Sequence, residues 1–247
     1  MKILIADDEP LARERLQHIV HELDNNYVIS EAANGLDVIE QVNEFEPDVV
    51  LMDIRMPGMD GLEAAQHLAG LDSPPAIIFT TAYDEYALQA FSANAIDYLL
   101  KPLRKPQLEA SLHSCRKLNK LQLEQLLLTN QQQPTRTHIS TQIGGNIYLI
   151  PVDQIVAFYA EHKYVSIKYY KDQELHETII EETLKSLEKE FSALFIRIHR
   201  NALIRRDQIE ALQKQEDGRV LLKLKDVDAG FEVSRRHLPK VRKVIKL

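Results

Sequence analysis

The first half of the chain alternates short apolar runs with amphipathic stretches. The apolar runs have the length of buried parallel strands, and the stretches between them keep the spacing of helices. Right-handed crossovers assemble such a five-fold β-α repeat into a doubly wound α/β sheet with helices on both faces. The predicted strands are Ile3–Ala6, Tyr27–Ala32, Val49–Met52, Ala76–Thr80 and Ile96–Leu100, and the predicted helices are Leu11–Leu23, Leu36–Val42, Leu62–Leu68, Glu85–Ala93 and Pro106–Leu128.

Beyond Thr137 the pattern changes to the period of strands, and only 182–191 and the tail after Ser234 keep helical spacing. We therefore expect a mainly β second domain. A helix-turn-helix reader is disfavoured because it needs more helix. The hairpin turns are predicted at Gly144-Gly145, Lys171-Asp172 and Asp217-Gly218. The predicted strands are His138–Ile143, Asn146–Ile150, Ile155–Tyr159, Val165–Tyr170, Leu175–Thr178, Phe195–His199, Ala202–Ile204, Ile209–Leu212, Val220–Leu224 and Phe231–Val233.

The two halves are joined by a segment of different composition. Helical spacing continues toward Leu128, further than a fifth β-α unit needs, and then gives way to Gln131-Gln-Gln-Pro134, which is typical of a flexible joint. We predict a first domain at 1–120, a linker helix and joint at 121–137, and a second domain at 138–247.

Composition and cysteine content place the chain in a broad class. A length of 247 residues with 45% hydrophobic residues supports two ordinary domains, each with its own core. The single cysteine, Cys115, cannot form an internal disulfide, and its helical spacing from Leu108 and Leu112 indicates a small core residue. The apolar run after Lys2 is too short for a signal peptide or a membrane span, so we expect a cytoplasmic protein.

Charge is distributed unequally along the chain. Residues 1–134 carry 10 Lys and Arg against 21 Asp and Glu, whereas residues 135–247 carry 20 against 16. From Arg197 onward there are 14 basic and 7 acidic residues, which can attract a polyanion through long-range electrostatics and counterion release. The overall charge of −7 therefore does not exclude a nucleic-acid partner.

The chemically suggestive residues of the first half follow the predicted strands. Asp7 and Asp8 follow the first strand, Asp53 the third, Thr81 the fourth and Lys101 the fifth. Because the carboxyl ends of parallel strands share one edge, the three carboxylates should meet, and their repulsion favours a bound cation, most naturally Mg²⁺. A carboxylate in such a pocket can attack a phosphoryl donor and form an aspartyl phosphate.

Residues 1–120 resemble the receiver domains of two-component systems, which have a flavodoxin-like five-stranded fold. The motifs are Asp7-Asp8, Asp53-Ile-Arg-Met-Pro-Gly-Met-Asp-Gly61, Thr81-Ala82 and Tyr98-Leu-Leu-Lys-Pro102. The resemblance implies that Asp53 is the phospho-acceptor. It also implies a metal site made of Asp7, Asp8, Asp53 and the Met56 carbonyl.

The same resemblance implies how phosphorylation is sensed. Thr81 and Lys101 would contact the phosphoryl oxygens. Tyr98 would reposition when Thr81 moves toward the phosphate, and so transmit the switch to the domain surface.

Residues from about 138 to 245 resemble the LytTR DNA-binding domain of the LytR/AlgR family. The resemblance is carried by Ala160-Glu-His-Lys-Tyr-Val165, Phe195-Ile-Arg-Ile-His-Arg-Asn-Ala-Leu-Ile204 and Val233-Ser-Arg-Arg-His-Leu238. It implies a mainly β domain whose loops enter successive major grooves, with Lys163, Arg200 and Arg236 at the positions that reach bases. Their neighbours His162, His199, Asn201 and Arg235 complete the predicted interface.

Together these readings predict a response regulator. A sensor histidine kinase would phosphorylate Asp53, the receiver would dimerise or change its domain contacts, and occupancy of double-stranded DNA with paired repeats would change. We expect no enzymatic output, because the second half has no nucleophile elbow, phosphate loop or zinc spacing. A haloacid dehalogenase-like phosphatase would need Asp-x-Asp where Asp7-Asp8 stands. An RNA- or protein-binding output domain is the alternative, since tyrosines are available for stacking.

Overall fold

The structure is a computed structural model that describes residues 1–82, 98–114, 135–161, 163–225 and 227–245. For Thr81, Tyr98, Ser114 and residues 227–229 it describes the backbone alone. The described chain forms two compact units, and the main boundary between them falls between Pro134 and Thr135.

Five parallel strands form the sheet of the first unit, in the order β2-β1-β3-β4-β5. This is the doubly wound fold that the sequence predicts. The order changes direction between β1 and β3, and ligands of such folds bind at the carboxyl ends of the strands at that point. The strands are β1 (Lys2–Ala6), β2 (Val28–Ala32), β3 (Val49–Asp53), β4 (Ala76–Thr81) and β5 (Tyr98–Leu100), and the described helices are α1 (Pro10–Leu23), α2 (Gly35–Phe45), α3 (Gly61–Leu68) and α4 (Lys105–Ser114).

Alternate strand residues point to opposite faces of this sheet. Ile3, Ile5 and Leu51 pack with residues of α1 and α4 in one core cluster. The intervening residues Leu4 and Val50 are also fully buried. Burial on both faces explains why these strands are nearly continuous apolar runs. The helices start at local signals: Pro10 opens α1, and the side chains of Asn34 and Asp60 accept hydrogen bonds from the third helical residues of α2 and α3.

The second unit is built mainly from strands. A five-stranded antiparallel sheet has the order β10-β9-β8-β12-β11, and β13-β14-β15 and β6-β7 form smaller sheets. The strands are β6 (His138–Ile143), β7 (Asn146–Pro151), β8 (Ile155–Glu161), β9 (Tyr164–Lys171), β10 (Glu174–Ile180), β11 (Phe195–His199), β12 (Ala202–Arg205), β13 (Ile209–Lys214), β14 (Val220–Leu224) and β15 (Val227–Glu232), and the helices are α5 (Leu184–Glu190) and α6 (Leu238–Ile245).

The central sheet of the second unit is buried on both faces. Phe158 and Leu203 point to one side, where they pack with residues of β6, β7 and α5. Ala157 and Ile204 point to the other side, where they pack with residues of β14 and α6. Successive residues of the central strands point to opposite faces of the sheet, and the residues on both faces are apolar. This explains why the sheet is covered on each side.

Two local predictions were wrong. The turn between β9 and β10 is centred on Asp172 and Gln173, both with positive φ, and not on Lys171-Asp172. The tail helix does not start directly after Ser234, because residues 235–237 form a turn and α6 begins at Leu238. The predicted helix Glu85–Ala93, Cys115 and the linker up to Pro134 lie outside the described residues.

Candidate functional site

The three predicted carboxylates meet at the carboxyl edge of the parallel sheet. One ligand oxygen of each of Asp7, Asp8 and Asp53 lies within 4.8 Å of the others. Asp7 is 0% exposed and Asp53 is 7% exposed, whereas Asp8 faces the solvent. The strand-end positions in the sequence therefore become one acidic pocket with a deep and an open side.

Lys101 bridges two of these carboxylates. Its Nζ lies 2.7 Å from Asp7 Oδ2 and donates a hydrogen bond of 2.9 Å to Asp53 Oδ2. Burial acts to lower the pKa of Lys101, but its contacts with the two carboxylates outweigh this and hold the pKa above its usual value. Burial raises the pKa of Asp53, and the bond to Lys101 opposes that rise. The ammonium therefore stays charged and holds the acidic pair together.

The donor set of the pocket fits a hard divalent cation. Three carboxylates against one ammonium leave an excess of two negative charges in a partly buried cluster. Oxygen-only ligands and an open, solvent-facing side match the preference of Mg²⁺ for carboxylates and retained waters.

The segment between Asp53 and α3 is held close to Asp53. A Cβ built on Gly61 would lie 2.1 Å from the Asp53 carbonyl oxygen, and the Gly61 amide donates to Ile54 O at 2.9 Å. The same segment is also bound to the start of α2, where the Gly35 amide donates to Met59 O at 3.0 Å. Met56, the predicted carbonyl ligand, lies buried in this segment. The sequence motif contained Gly61, but only the tertiary contact reveals why a side chain does not fit there.

Arg13 is a further pocket residue that strand-end reasoning missed. Its guanidinium donates to the Asp7 carbonyl oxygen at 2.7 Å and pairs with Glu31 at 2.6 Å. From its position on α1, Arg13 therefore holds the backbone of Asp7, a predicted metal ligand. Helical spacing gave no signal for this contact. The side chains of Thr81 and Tyr98 are outside the described residues, although Thr81 pairs with Leu100 and Tyr98 with Phe79 in the sheet.

The predicted cationic loops of the second unit meet at one end of the central sheet. The Ala160 amide donates to Asn201 O at 2.8 Å, which joins the end of β8 to the β11–β12 connection. The Ser234 amide donates to Ile198 O at 3.0 Å, which joins the segment before α6 to β11. Three segments that are distant in sequence are thereby adjacent in the fold.

The predicted base-reading side chains stand on these three segments. Lys163, with φ of 77°, Arg200 and Arg236 are all exposed. Arg235 is exposed beside Arg236, and His162 lies outside the described residues. Exposed cations on adjacent loops are suited to the edges and phosphates of a DNA groove.

Two of the predicted neighbours have internal partners. His199 Nδ1 and Asn201 Oδ1 are hydrogen-bonded to each other. Asn201 Nδ2 also donates to Ala160 O at 3.3 Å. These two side chains therefore support the loop around Arg200 as well as bordering it.

Both units match described protein families. Residues 3–113 match the response regulator receiver domain, and residues 145–246 match the LytTr DNA-binding domain. A receiver followed by such a domain defines a two-component response regulator that binds DNA and regulates transcription. The predicted fold class and this function are thus confirmed, and the RNA- or protein-binding alternative is not retained.

Full-length relatives agree with the two domain matches. The chain is 43% identical over 249 residues to the positive alginate biosynthesis regulatory protein of Pseudomonas aeruginosa, covering 99% of each protein. It is 35% identical to the transcriptional regulatory protein BtsR of Escherichia coli K12 and 29% identical to the sensory transduction protein LytT of Bacillus subtilis, in each case covering 100% of both proteins. The chain belongs to the LytR/AlgR family of response regulators.

None of the helices in the described part of the chain combines the length and the apolarity that crossing a bilayer requires.

Proposed function

We propose that Asp53 accepts a phosphoryl group from a cognate sensor histidine kinase or from a small acyl phosphate. The observation that carries this proposal is the position of Asp53 beside Asp7 and Asp8, with Lys101 Nζ 2.9 Å from its Oδ2. An Asp53 oxygen attacks phosphorus, and the bond from phosphorus to the donor nitrogen or oxygen breaks. The electron pair of that bond leaves with the donor imidazole or carboxylate.

The surrounding residues have distinct roles in this proposal. Asp7, Asp8, Asp53 and the Met56 carbonyl hold Mg²⁺, which when bound neutralises negative charge on the transferred group. Lys101 needs little movement to turn from a carboxylate to a phosphoryl oxygen, since it already stands between Asp7 and Asp53. Thr81 contacts the phosphoryl group, and Tyr98 responds to Thr81 as the switch residue.

The output of the proposed switch is recognition of duplex DNA. Lys163, Arg200 and Arg236 contact bases, because they are exposed cations on three adjacent segments. The neighbouring contacts are assigned to His162, His199, Asn201 and Arg235. Phosphorylation favours a homodimer, which links two half-sites and raises affinity for paired repeats.

We also propose a division of the chain into three parts. The receiver spans 1–120, the linker helix and joint 121–137, and the DNA-binding domain 138–247. The protein acts in the cytoplasm and is not an enzyme with a separate substrate, since its proposed covalent chemistry is confined to its own acceptor.

Phosphoryl incorporation tests the acceptor assignment. The full chain is incubated with radiolabelled acetyl phosphate and MgCl₂. The Asp53→Asn variant should lose incorporation, whereas Asp72→Asn, on an exposed loop of the same domain, should keep it. Incorporation retained by Asp53→Asn would show that the acceptor lies elsewhere.

Footprinting tests the link to DNA. Wild type and Asp53→Asn are compared on duplexes selected from a random-sequence pool, with and without acetyl phosphate. We expect phosphorylation to extend protection across paired repeats in wild type alone. Identical footprints for wild type with and without the donor would contradict the proposed control of DNA binding.

A further inference from the structure

Arg197 is an arginine of the second unit that faces inward. Its side chain lies on β11, next to the predicted base-reading loop, and is only 16% exposed. Its guanidinium nitrogens are directed at protein acceptors rather than at the solvent. Arg197 therefore cannot be assigned to DNA contact by its charge alone.

Two of the acceptors of Arg197 are backbone carbonyls of the loop that carries Arg200. Nε donates to His199 O at 2.8 Å, and one terminal nitrogen donates to Arg200 O. The other terminal nitrogen faces Leu184 O at 3.4 Å and Glu188 Oε2 at 3.3 Å. One planar group thus connects the loop backbone to helix α5.

The local strand geometry explains why the loop uses a side-chain donor. Arg197 pairs with Leu203 and His199 pairs with Ala202, so the register between β11 and β12 shifts at this point. Such a bulge disrupts the regular ladder and re-aims the residues that follow it. The guanidinium supplies donors to carbonyls at the bulge and fixes the direction in which the chain turns at Arg200.

We propose that Arg197 is a positioning residue for DNA recognition. It sets the backbone of residues 199–201 and thereby the direction of the Arg200 side chain, without touching DNA itself. This inference rests on the proposed role of Arg200 in base contact. The fork geometry is essential to it, because an ammonium cannot reach two carbonyls and a carboxylate in fixed directions.

A phosphate contact is the competing role for Arg197, and salt dependence separates the two. Loss of one phosphate contact lowers the slope of log K against log salt by about one and weakens binding to all sequences alike. If Arg197 only positions the loop, its loss leaves the slope of log K against log salt unchanged. It reduces the preference for the specific sequence, since only the placement of a base-reading side chain is affected.

The test uses the full-length protein treated with acetyl phosphate. Its affinity is measured at several salt concentrations for a duplex selected by the wild type from a random pool and for a scrambled duplex of equal composition. The variants are Arg197→Lys, Arg197→Met and Arg200→Gln. The control is Lys171→Met, which removes an exposed cation at the end of β9 that lies opposite the end preceded by Lys163. Amide hydrogen exchange of residues 199–202 is followed in the same proteins without DNA.

We expect Arg197→Lys to bind the selected duplex about tenfold or more weakly, with little change on the scrambled duplex and the wild-type salt slope. Its loop amides should exchange faster, and Lys171→Met should resemble wild type in every measurement. Because lysine keeps the positive charge, loss in this variant is not a loss of charge.

Three results would overturn the inference. They are wild-type discrimination by Arg197→Lys, an equal loss on both duplexes with the salt slope reduced by about one in Arg197→Met, and unchanged loop exchange in Arg197→Lys. Failure of the proposed function has a different signature, since Arg200→Gln would then keep full discrimination. If discrimination is lost in Arg197→Lys alone and the loop amides exchange faster, Arg197 still positions the loop, but for a reader other than Arg200.

Discussion

Individual residues in the acidic pocket depend on one another through charge. Lys101 is the cation shared by Asp7 and Asp53, and Asp7 is fully buried. Removing one partner from a buried ion pair is costly because the other charge remains without compensation. The stability of the receiver should therefore depend on Lys101 most strongly when no metal is present.

Replacing Lys101 with Met should lower the free energy of unfolding by about 2 to 3 kcal/mol in EDTA, less than for a fully buried pair because Lys101 is partly exposed. Urea denaturation measures this difference. Addition of MgCl₂ should recover more stability in the variant than in wild type.

The matched control for this experiment is Lys105→Met, which removes an exposed ion pair with Glu22. Such pairs contribute about 0 to 1 kcal/mol. Equal losses in the two variants would contradict the compensating role of Lys101.

His237 should make the stability of the second unit depend on pH. Burial lowers the pKa of His237 below its usual value, the cations Arg236, Arg197 and Lys240 act in the same direction, and Glu188 opposes them. The unfolded chain therefore binds a proton at higher pH than the folded one. The folded state is therefore favoured while His237 is neutral in both states, above the unfolded pKa of about 6.5. This stability is lost as the pH falls from that value through the lower pKa of the folded state.

The His237→Asn variant tests this dependence. Thermal unfolding of wild type and variant is compared from pH 8 to pH 5. The difference in Tm between them should shift in favour of the variant as the pH falls. A difference that is constant over this range would show that the His237 proton is not linked to folding.

The sequence identified those pocket residues that follow strands, and it missed those that depend on tertiary approach. Asp7, Asp53 and Lys101 were predictable because the ends of parallel strands must share an edge. Arg13 in the pocket and Arg197 in the second unit were not, since each donates to backbone carbonyls and no residue pattern marks a carbonyl. The side-chain roles of Thr81 and Tyr98 stay predictions.

At the scale of elements, hydrophobic periodicity predicted nearly every described strand, and local turn chemistry accounts for the errors. The β9–β10 turn places Asp172 at φ of 51° and Gln173 at φ of 67°. Two central residues with positive φ match the hairpin turns whose twist suits the strands, although no glycine is present. Without glycine as a marker, the sequence placed this turn one residue too early.

This turn gives an element-level prediction. Gln173→Gly should stabilise the protein by about 1 kcal/mol, because glycine adopts the left-handed conformation without the penalty that a Cβ imposes. Chemical denaturation measures the gain. Lys171→Gly, at the end of β9, is the control and should destabilise instead. A loss of stability in Gln173→Gly would mean that the Gln173 side chain has a stabilising role that outweighs its backbone strain.

The whole molecule separates charge between its two halves. The first half is acidic around its pocket, whereas exposed cations gather toward the end of the second half, including Lys240 and Lys243 on α6. Cations without base contacts add affinity for any duplex through counterion release. The two halves should therefore respond differently when their cations are removed.

Replacing Lys240 and Lys243 together with Gln should weaken binding to selected and scrambled duplexes by similar factors. The salt slope should fall by about one to two, one for each phosphate contact that is lost. The control replaces Arg104 and Lys105, exposed cations of the first half, and should leave the slope unchanged. A selective loss on the chosen duplex alone would instead assign these lysines to base reading.

The backbone ties between the cationic segments have a consequence for how binding preferences change. The bonds from Ala160 to Asn201 and from Ser234 to Ile198 use main-chain groups, which every substitution other than to proline retains. The exposed side chains at 163, 200 and 236 can therefore be substituted while the hydrogen-bonded backbone beneath them keeps its conformation. With the base contacts proposed for these side chains, a descendant of this protein could acquire a new operator by changing a few exposed residues, without a change in the backbone that supports them.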